Sequence, residues 1–390
     1  MSARRIAVFS GTRADYGLLR PVLFALDSAA DSELLLMASG SHLSCAHGGT
    51  IAEIHADGFT IRAEIDLGLK DAADGPVADA MAAALTGVGS ALNTLHPDLL
   101  VVLGDRYETF CAATAAQLAR VPLAHIHGGE TTEGAVDESF RHSITKMSHL
   151  HFASCEAHRK RIIQLGEAPE RVWNVGALGV ENAVTLDLPQ ESSIRAVLGF
   201  EANREYILCT LHPETLSAVS PEEHCTALLD ALESFPEYCL VFTGANADPG
   251  GPALNAVLKN YVEQNKERCR FFMSLGVRRY LAAAKYAACV VGNSSSGIIE
   301  APSLGTPVVD IGDRQRGRIR ADSVLHSAPE KESLAQTIER ALHPRFRAFA
   351  RDVQNPYEKK GTARRIADRL RSHPLEGILH KTFFDIAHYF

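Results

Sequence analysis

The sequence predicts an α/β fold made of two Rossmann-like, doubly wound domains facing across a cleft. Three observations carry that expectation. Short apolar runs rich in Val, Ile and Leu alternate with helical stretches along the chain, as parallel strands covered on both faces do. There are eleven such runs, near the limit of one open sheet, so two sheets of about five or six strands are expected. Finally, 390 residues are too many for one ordinary core.

In order, RIAVFS (5–10), ELLLMAS (33–39), DLLVVLG (98–104), PLAHIH (122–127), LHFAS (150–154) and VWNVG (172–176) read as strands of the first domain. EYILCT (205–210), YCLVFTG (238–244), RFFMS (270–274), CVVGN (289–293) and PVVDIG (307–312) read as strands of the second. Segments such as 107–120 and 278–287 read as the intervening helices. The polar, proline-bearing stretch DLPQESS (187–193) is the natural seam. It divides an N-terminal domain, 1–186, from a C-terminal domain, 187–372, followed by a tail, 373–390. No internal repeat or low-complexity tract interrupts this order.

Composition narrows the function. With 46% hydrophobic and 22% charged residues, the chain is neither disordered nor collagen-like. No apolar run reaches the roughly 18–20 residues that span a bilayer, so no membrane partner is expected. The N-terminus MSARRIAVFSGTR has only IAVF as its apolar stretch, too short for a signal-peptide core, so a cytoplasmic location is expected. Lys+Arg 39 against Asp+Glu 47 gives a net charge of −8, which argues against nucleic-acid binding. An anionic ligand then needs a local cation cluster. The eight cysteines form neither CxxC nor a finger-like spacing and read as buried free thiols.

In open parallel sheets, ligands bind beyond the carboxyl ends of the strands, and the polar motifs of this chain follow its strands. GTRADYG (11–17) lacks the GxGxxG spacing of a dinucleotide site but places Arg13 at a helix N-terminus, a suitable anion position. GDRYE (104–108) sets Asp105 beside Arg106, with Asp105 also placed as an N-cap. In HIHGGE (125–130), His125 and His127 alternate on a strand and share a face. Zinc ligation is one reading of that pair, but no third ligand follows at tight spacing, so no metal is expected. Glu130 sits in a glycine-flanked loop, free to swing against a substrate. Asp137 and Arg141, four apart, fit either an ion pair along one helix or part of an acid/base cluster.

The second half supplies LHPET (211–215), with His212 after a strand, and GANAD (244–248), with Asn246 and Asp248. GNSSSGIIE (292–300) is the most specific stretch. Ser294, Ser295, Ser296 and Gly297 offer hydroxyls and amides where a strand gives way to a helix, a phosphate cradle. Glu300, one turn on, is placed for ribose hydroxyls. IGDRQRGRIR (311–320) then sets Arg314, Arg316, Arg318 and Arg320 after the last strand, the local cation cluster that an acidic chain needs for an anion.

The ordered motifs TRADYG, GSH (40–42, with His42), GDRYE, HIHGGE, DESFRHSITK, HPET, GNSSSG and GDRQRGR resemble those of the hydrolysing UDP-N-acetylglucosamine 2-epimerases, over about residues 5–320. The resemblance implies a GT-B-like fold with UDP held mainly by the second domain. It also implies a metal-independent, homo-oligomeric enzyme (dimer or tetramer) that needs no cofactor and releases UDP and N-acetylmannosamine. Position by position it implies UDP contacts at Arg13, Arg106, His212, Asn246, Ser294, Ser295, Glu300 and Arg314, with His42 among the binding residues and Asp105 and Asp137 as acid/base carboxylates. Two departures stand out: His127 where many members have Glu, and Gly17 where some have Ser. The first leaves both His127 and Glu130 open as the proton-transfer group.

The chemistry explains the residue types. No carbonyl acidifies the carbon 2 hydrogen of an N-acetylhexosamine. Departure of UDP from carbon 1 leaves an oxocarbenium-like centre that does, and cations stabilise the leaving charge. One group then removes the carbon 2 proton to give a 2-acetamidoglycal. Another returns a proton to the opposite face as water adds at carbon 1. Asp105 and Glu130 are the candidates at carbon 2, with Asp137, His127 and His212 assisting. The same reaction on a UDP- or GDP-linked 2,4-diacetamido-2,4,6-trideoxyglucose is the alternative substrate reading. A GT-B glycosyltransferase, a non-hydrolysing epimerase and a silent nucleotide-sugar sensor are the alternative functions.

Overall fold

Each of the eleven apolar runs forms a strand in the computed structural model, which describes residues 3–44, 50–69, 77–133, 136–201, 204–214, 219–245 and 250–386. The first sheet holds β1 (Arg4–Ser10), β2 (Ser32–Ser39), β3 (Ile61–Ile65), β4 (Leu99–Leu103), β5 (Leu123–Ile126), β6 (Leu150–Ala153) and β7 (Val172–Asn174). The second holds β8 (Tyr206–Thr210), β9 (Cys239–Thr243), β10 (Cys269–Phe272), β11 (Cys289–Gly292), β12 (Val308–Ile311) and β13 (Val324–Ser327). Their orders are β3-β2-β1-β4-β5-β6-β7 and β10-β9-β8-β11-β12-β13, and neighbours pair in parallel throughout.

The sheets therefore have seven and six strands. The two additions, β3 and β13, are edge strands. In β3, IRAEI alternates apolar with polar residues, and in β13, VLHS turns His326 to solvent, so neither reads as a continuous apolar run. The interior strands β4, β8 and β9 are buried along their whole length, as strands covered on both faces must be. In β1, Ile6 and Val8 join one core with Leu19, Leu23 and Leu26 of the helix Arg13–Asp27. Ala7 and Phe9 point to the opposite core, with Ala84, Val88 and Leu92 of the helix Val77–Leu95.

The chain divides into two compact units whose limits differ from the expected 186/187 seam and 373–390 tail. The first comprises the described residues of 1–130, 137–178 and 359–390; the second comprises those of 131–136 and 179–358. Residues 359–372 move to the first unit for a packing reason. The helix Thr362–Ser372 inserts Ile366, Ala367 and Leu370 into the core formed by β1 and the helix Arg13–Asp27. Thr362 Oγ1 also donates to Val175 O at 2.8 Å. An amphipathic helix shows in sequence that it covers a core, but not which one. Likewise, residues 131–136 join the second unit, where Glu133 N donates to Arg316 O at 3.1 Å.

The seven described cysteines are buried and free; Cys45 lies outside the described residues. Burial pushes the Cys225 and Cys289 thiols up to about 12, so they pack as small apolar groups. No described helix is long and apolar enough to cross a membrane.

Candidate active site

Each sheet has one switch point, where the chain leaves one side of the order and returns on the other. These lie between β1 and β4 and between β8 and β11, and ligands bind beyond the carboxyl ends of such strands.

In the first unit, β1 ends at Ser10 and runs into Gly11-Thr12. Thr12 caps the helix Arg13–Asp27 in a reciprocal box with Asp15. Asp15 Oδ2 accepts from the amides of Thr12 at 3.0 Å and Gly11 at 3.2 Å. Burial, offset by Arg106 and reinforced by Glu108, raises the Asp15 carboxyl to about 6. Arg13 begins this helix, as expected. His42 is a buried support: Nε2 meets Ser10 Oγ at 2.9 Å, Nδ1 meets Thr50 Oγ1 at 2.7 Å, and burial lowers it to about 4. With both ring nitrogens engaged inside the protein, it braces the strand end instead of presenting itself to a ligand.

Beyond β4, the helix Tyr107–Ala119 is capped at Arg106 with no side-chain cap bond. Asp105 is therefore not the expected N-cap. Its Oδ2 is in direct contact with Arg141 Nη2, and Arg141, only 2% exposed, also lies 3.5 Å from Glu138. The Arg106 guanidinium forks onto buried Glu108 at 3.2 and 3.3 Å. Asp137 opens the helix Asp137–Met147, which carries Arg141 on its second turn.

The HIHGGE segment departs from its sequence reading. β5 ends at Ile126, and His127 adopts φ +65, a left-handed conformation rare for a residue with a Cβ. His125 and His127 therefore share no strand face. His125 is a brace lowered to about 3 by burial, its Nε2 2.8 Å from Gly104 O and its Nδ1 3.2 Å from Thr145 Oγ1. Neither ring nitrogen is left for zinc, and no group of three or more His, Cys, Asp or Glu suited to a metal occurs among the described residues. His127 Nε2 accepts from Leu178 N at 3.4 Å, which leaves the ring proton on Nδ1, 3.9 Å from Glu130 Oε1. Glu130 is 3% exposed and accepts from Ser154 Oγ at 2.7 Å. It is held in place and does not swing.

In the second unit, Asn293 joins three strand ends. Its Oδ1 accepts from His212 N at 2.7 Å, and its Nδ2 donates to His212 O at 2.9 Å. Its own carbonyl accepts from Arg314 Nη1 at 3.1 Å and Gln315 Nε2 at 2.9 Å. Burial, followed by Arg314, lowers His212 to about 3, leaving a neutral imidazole beside a guanidinium. Gly292 must be glycine: at φ +146, a Cβ would lie 1.9 Å from Thr210 O. Ser294 caps the short helix Ser295–Ile299, its Oγ accepting from Ser296 N at 3.4 Å. Glu300 falls just after this helix, not a turn inside it, and packs against Gly179.

The arginine run does not act as one cluster. Arg320 pairs with buried Asp310 at 2.6 Å, and Arg316 pairs with Glu133 at 3.3 Å. Arg314 is tied to the switch-point loop through the Asn293 carbonyl. Asn246 and Asp248 lie outside the described residues. Asp15, Glu108, Ser154, Asn293 and Glu214 went unread in the sequence. Glu214 Oε1 is buried with no hydrogen-bond partner among the described residues and lies against Gly312. Only Asp15 left a legible signal, the T-x-x-D spacing of its capping box.

Two doubly wound parallel sheets, with polar loops gathered at their switch points, define an α/β enzyme of the GT-B-like class. The UDP-N-acetylglucosamine 2-epimerase family profile matches residues 25–371, and the chain belongs to that family. It is 38% identical over 387 residues to the GDP/UDP-N,N'-diacetylbacillosamine 2-epimerase (hydrolyzing) of Campylobacter jejuni, covering 99% of this chain and 100% of that one. It is 37% identical to polysialic acid biosynthesis protein P7 of Escherichia coli, covering 98% of each. It is 32% identical to the hydrolysing UDP-N,N'-diacetylbacillosamine 2-epimerase of Legionella pneumophila, over 97% and 98%. Among solved structures, the UDP-GlcNAc 2-epimerase of Neisseria meningitidis bound to UDP-GlcNAc shares the fold, with TM-score 0.77 at 16% identity over 94% and 99% of the two chains. The Methanocaldococcus jannaschii enzyme, with UDP-GlcNAc and UDP, gives TM-score 0.77 at 18% identity, with the same coverage.

Proposed function

We propose that this protein is a hydrolysing 2-epimerase of a UDP-linked 2-acetamido sugar, with UDP-N,N'-diacetylbacillosamine (2,4-diacetamido-2,4,6-trideoxyglucose as the sugar) the favoured substrate. The observation that carries the reaction is the pair of fixed carboxylates following adjacent strands. Asp105, held by Arg141, follows β4, and Glu130, held by Ser154, follows β5. The substrate preference rests on the names of the Campylobacter and Legionella relatives. UDP-N-acetylglucosamine is the second reading, favoured by the 28% identical Neisseria meningitidis UDP-N-acetylglucosamine 2-epimerase.

In this reading, the diphosphate is held by Ser294, Ser295 and Arg314, with Arg13, Arg106 and His212 also contacting UDP and Glu300 taking the ribose hydroxyls. The carbon 1–oxygen bond breaks and UDP leaves with the electron pair. One of Asp105 and Glu130 takes the carbon 2 proton, giving the 2-acetamidoglycal. The other, protonated beforehand, gives its proton to carbon 2 from the opposite face, while water adds its hydroxyl to carbon 1 and passes its remaining proton to the carboxylate so formed. Asp137 and His127 orient these groups. Each acid or base contributes about 10²–10⁴ in rate. The assembly is a homo-oligomer, a dimer or tetramer, which light scattering tests and a monomer refutes.

The deciding experiment incubates the protein with each UDP-sugar in D₂O, with no acceptor present, and follows proton NMR. Stoichiometric UDP and a free manno-configured sugar bearing one deuterium at carbon 2 are expected. An epimer still attached to UDP, or UDP release only when an acceptor sugar is added, refutes the proposal. Asp105→Asn and Glu130→Gln each abolish turnover while UDP binding persists.

A further inference from the structure

Glu130 ends a short chain of hydrogen bonds that runs into the core of the first unit. Ser154, directly after β6, donates its Oγ proton to Glu130 Oε1 at 2.7 Å, and the same Oγ lies 2.9 Å from His158 Nδ1. Ser154 and His158 have no solvent exposure. A serine hydroxyl carries one proton. Once that proton is given to Glu130, the contact with His158 forms only if Nδ1 is protonated and donates to Oγ. The polarity of the chain is thereby fixed: His158 to Ser154 to Glu130.

The backbone is shaped to keep this arrangement. The helix Glu156–Gln164, which carries His158, packs against the turn before Glu130. Gly129 sits at φ +74, where a Cβ would lie 2.5 Å from His158 O, so only glycine lets the two approach. From the same helix, Arg161 Nη1 donates to Gly129 O at 2.5 Å. The turn is thus tied at the carbonyl of Gly129 and at the side chain of Glu130.

We infer that Ser154 and His158 are positioning residues for Glu130: their aligned donors hold one carboxylate oxygen in place and direct the other toward the sugar. This rests on the proposed proton-transfer role of Glu130. A donor aimed at a charged acceptor is worth more than a neutral pair, and its loss lets the carboxylate rotate away from the reacting carbon.

The test is steady-state kinetics of Ser154→Ala, Ser154→Thr, His158→Phe and Glu130→Gln, with UDP affinity measured by calorimetry. Ser154→Ala is expected to lower kcat about 10- to 100-fold, leaving KM and UDP affinity within about twofold. Ser154→Thr restores most of the loss, and His158→Phe, which removes the donor while keeping a ring, lowers kcat in the same way. Wild-type kcat in Ser154→Ala alongside an inactive Glu130→Gln overturns the positioning role and leaves Glu130 its own. Full turnover by Glu130→Gln overturns the role of Glu130 itself.

Discussion

Asp15 permits a prediction whose sign and size both come from the structure. Its carboxyl is buried at the carboxyl end of β1, and burial, with a further push from Glu108, raises it from 3.8 to about 6 despite Arg106 and two amide donors. The folded chain therefore binds more protons than the unfolded chain between these values, and stability falls as pH rises through that window. At 1.36 kcal/mol per pH unit, keeping Asp15 ionised above pH 6 costs ~3 kcal/mol. Asp15→Asn keeps an acceptor for the Gly11 and Thr12 amides and removes the charge. The variant is expected to match the wild type near pH 4 and to exceed it by ~3 kcal/mol at pH 8. Urea denaturation of both proteins across that range measures the difference. A difference that stays constant with pH refutes the burial argument. Strongly perturbed carboxylates cluster at functional sites, and a ligand-binding role for Asp15 predicts that the more stable variant binds UDP-sugar more weakly; unchanged affinity leaves Asp15 its capping role alone.

Two other substitutions test the scaffold. A Cβ on Gly179 would lie 1.9 Å from Glu300 Oε1, so Gly179→Ala displaces that carboxylate. It should weaken UDP binding about tenfold by calorimetry, at a cost to stability below ~1 kcal/mol; unchanged affinity removes Glu300 from the ribose site. Lys381 Nζ sits 2.6 Å from Glu167. Against the cost of burial, a hydrogen bond from His151, followed by Lys146 and Lys381, holds that carboxyl down to about 2. The stability from Glu167 is therefore present above 4.5 and lost as pH falls toward 2. Because His151 and Lys146 stay on Glu167, Lys381→Met should cost ~1 kcal/mol at neutral pH and less near pH 3, read by chemical denaturation; an equal cost at both pH values refutes the pairing.

What the sequence revealed, and what it hid, follows from one distinction. Interior parallel strands are apolar on both faces, so β4 and β8 are conspicuous, and their polar residues can only gather at the ends. That places Asp105, Glu130, His212 and Ser294 in plain view. Edge strands such as β3 obey no such rule and were missed. The partners through which residues hold one another in place stay hidden for a different reason. Asn293 works through the backbone of His212, 81 positions away, and Arg141 works through Asp105, 36 positions away. Nothing local marks an asparagine or arginine for such a role. The expected four-arginine cluster fails on the same ground: Arg320 is claimed by Asp310 on β12, and only the fold brings that carboxylate within reach. Residue type predicts what a side chain can do at a strand end; whether it is free to do so depends on partners that folding supplies. Glu130 shows both sides of this: HIHGGE places a carboxylate beyond a strand end in plain view, but the serine that immobilises it follows a different strand.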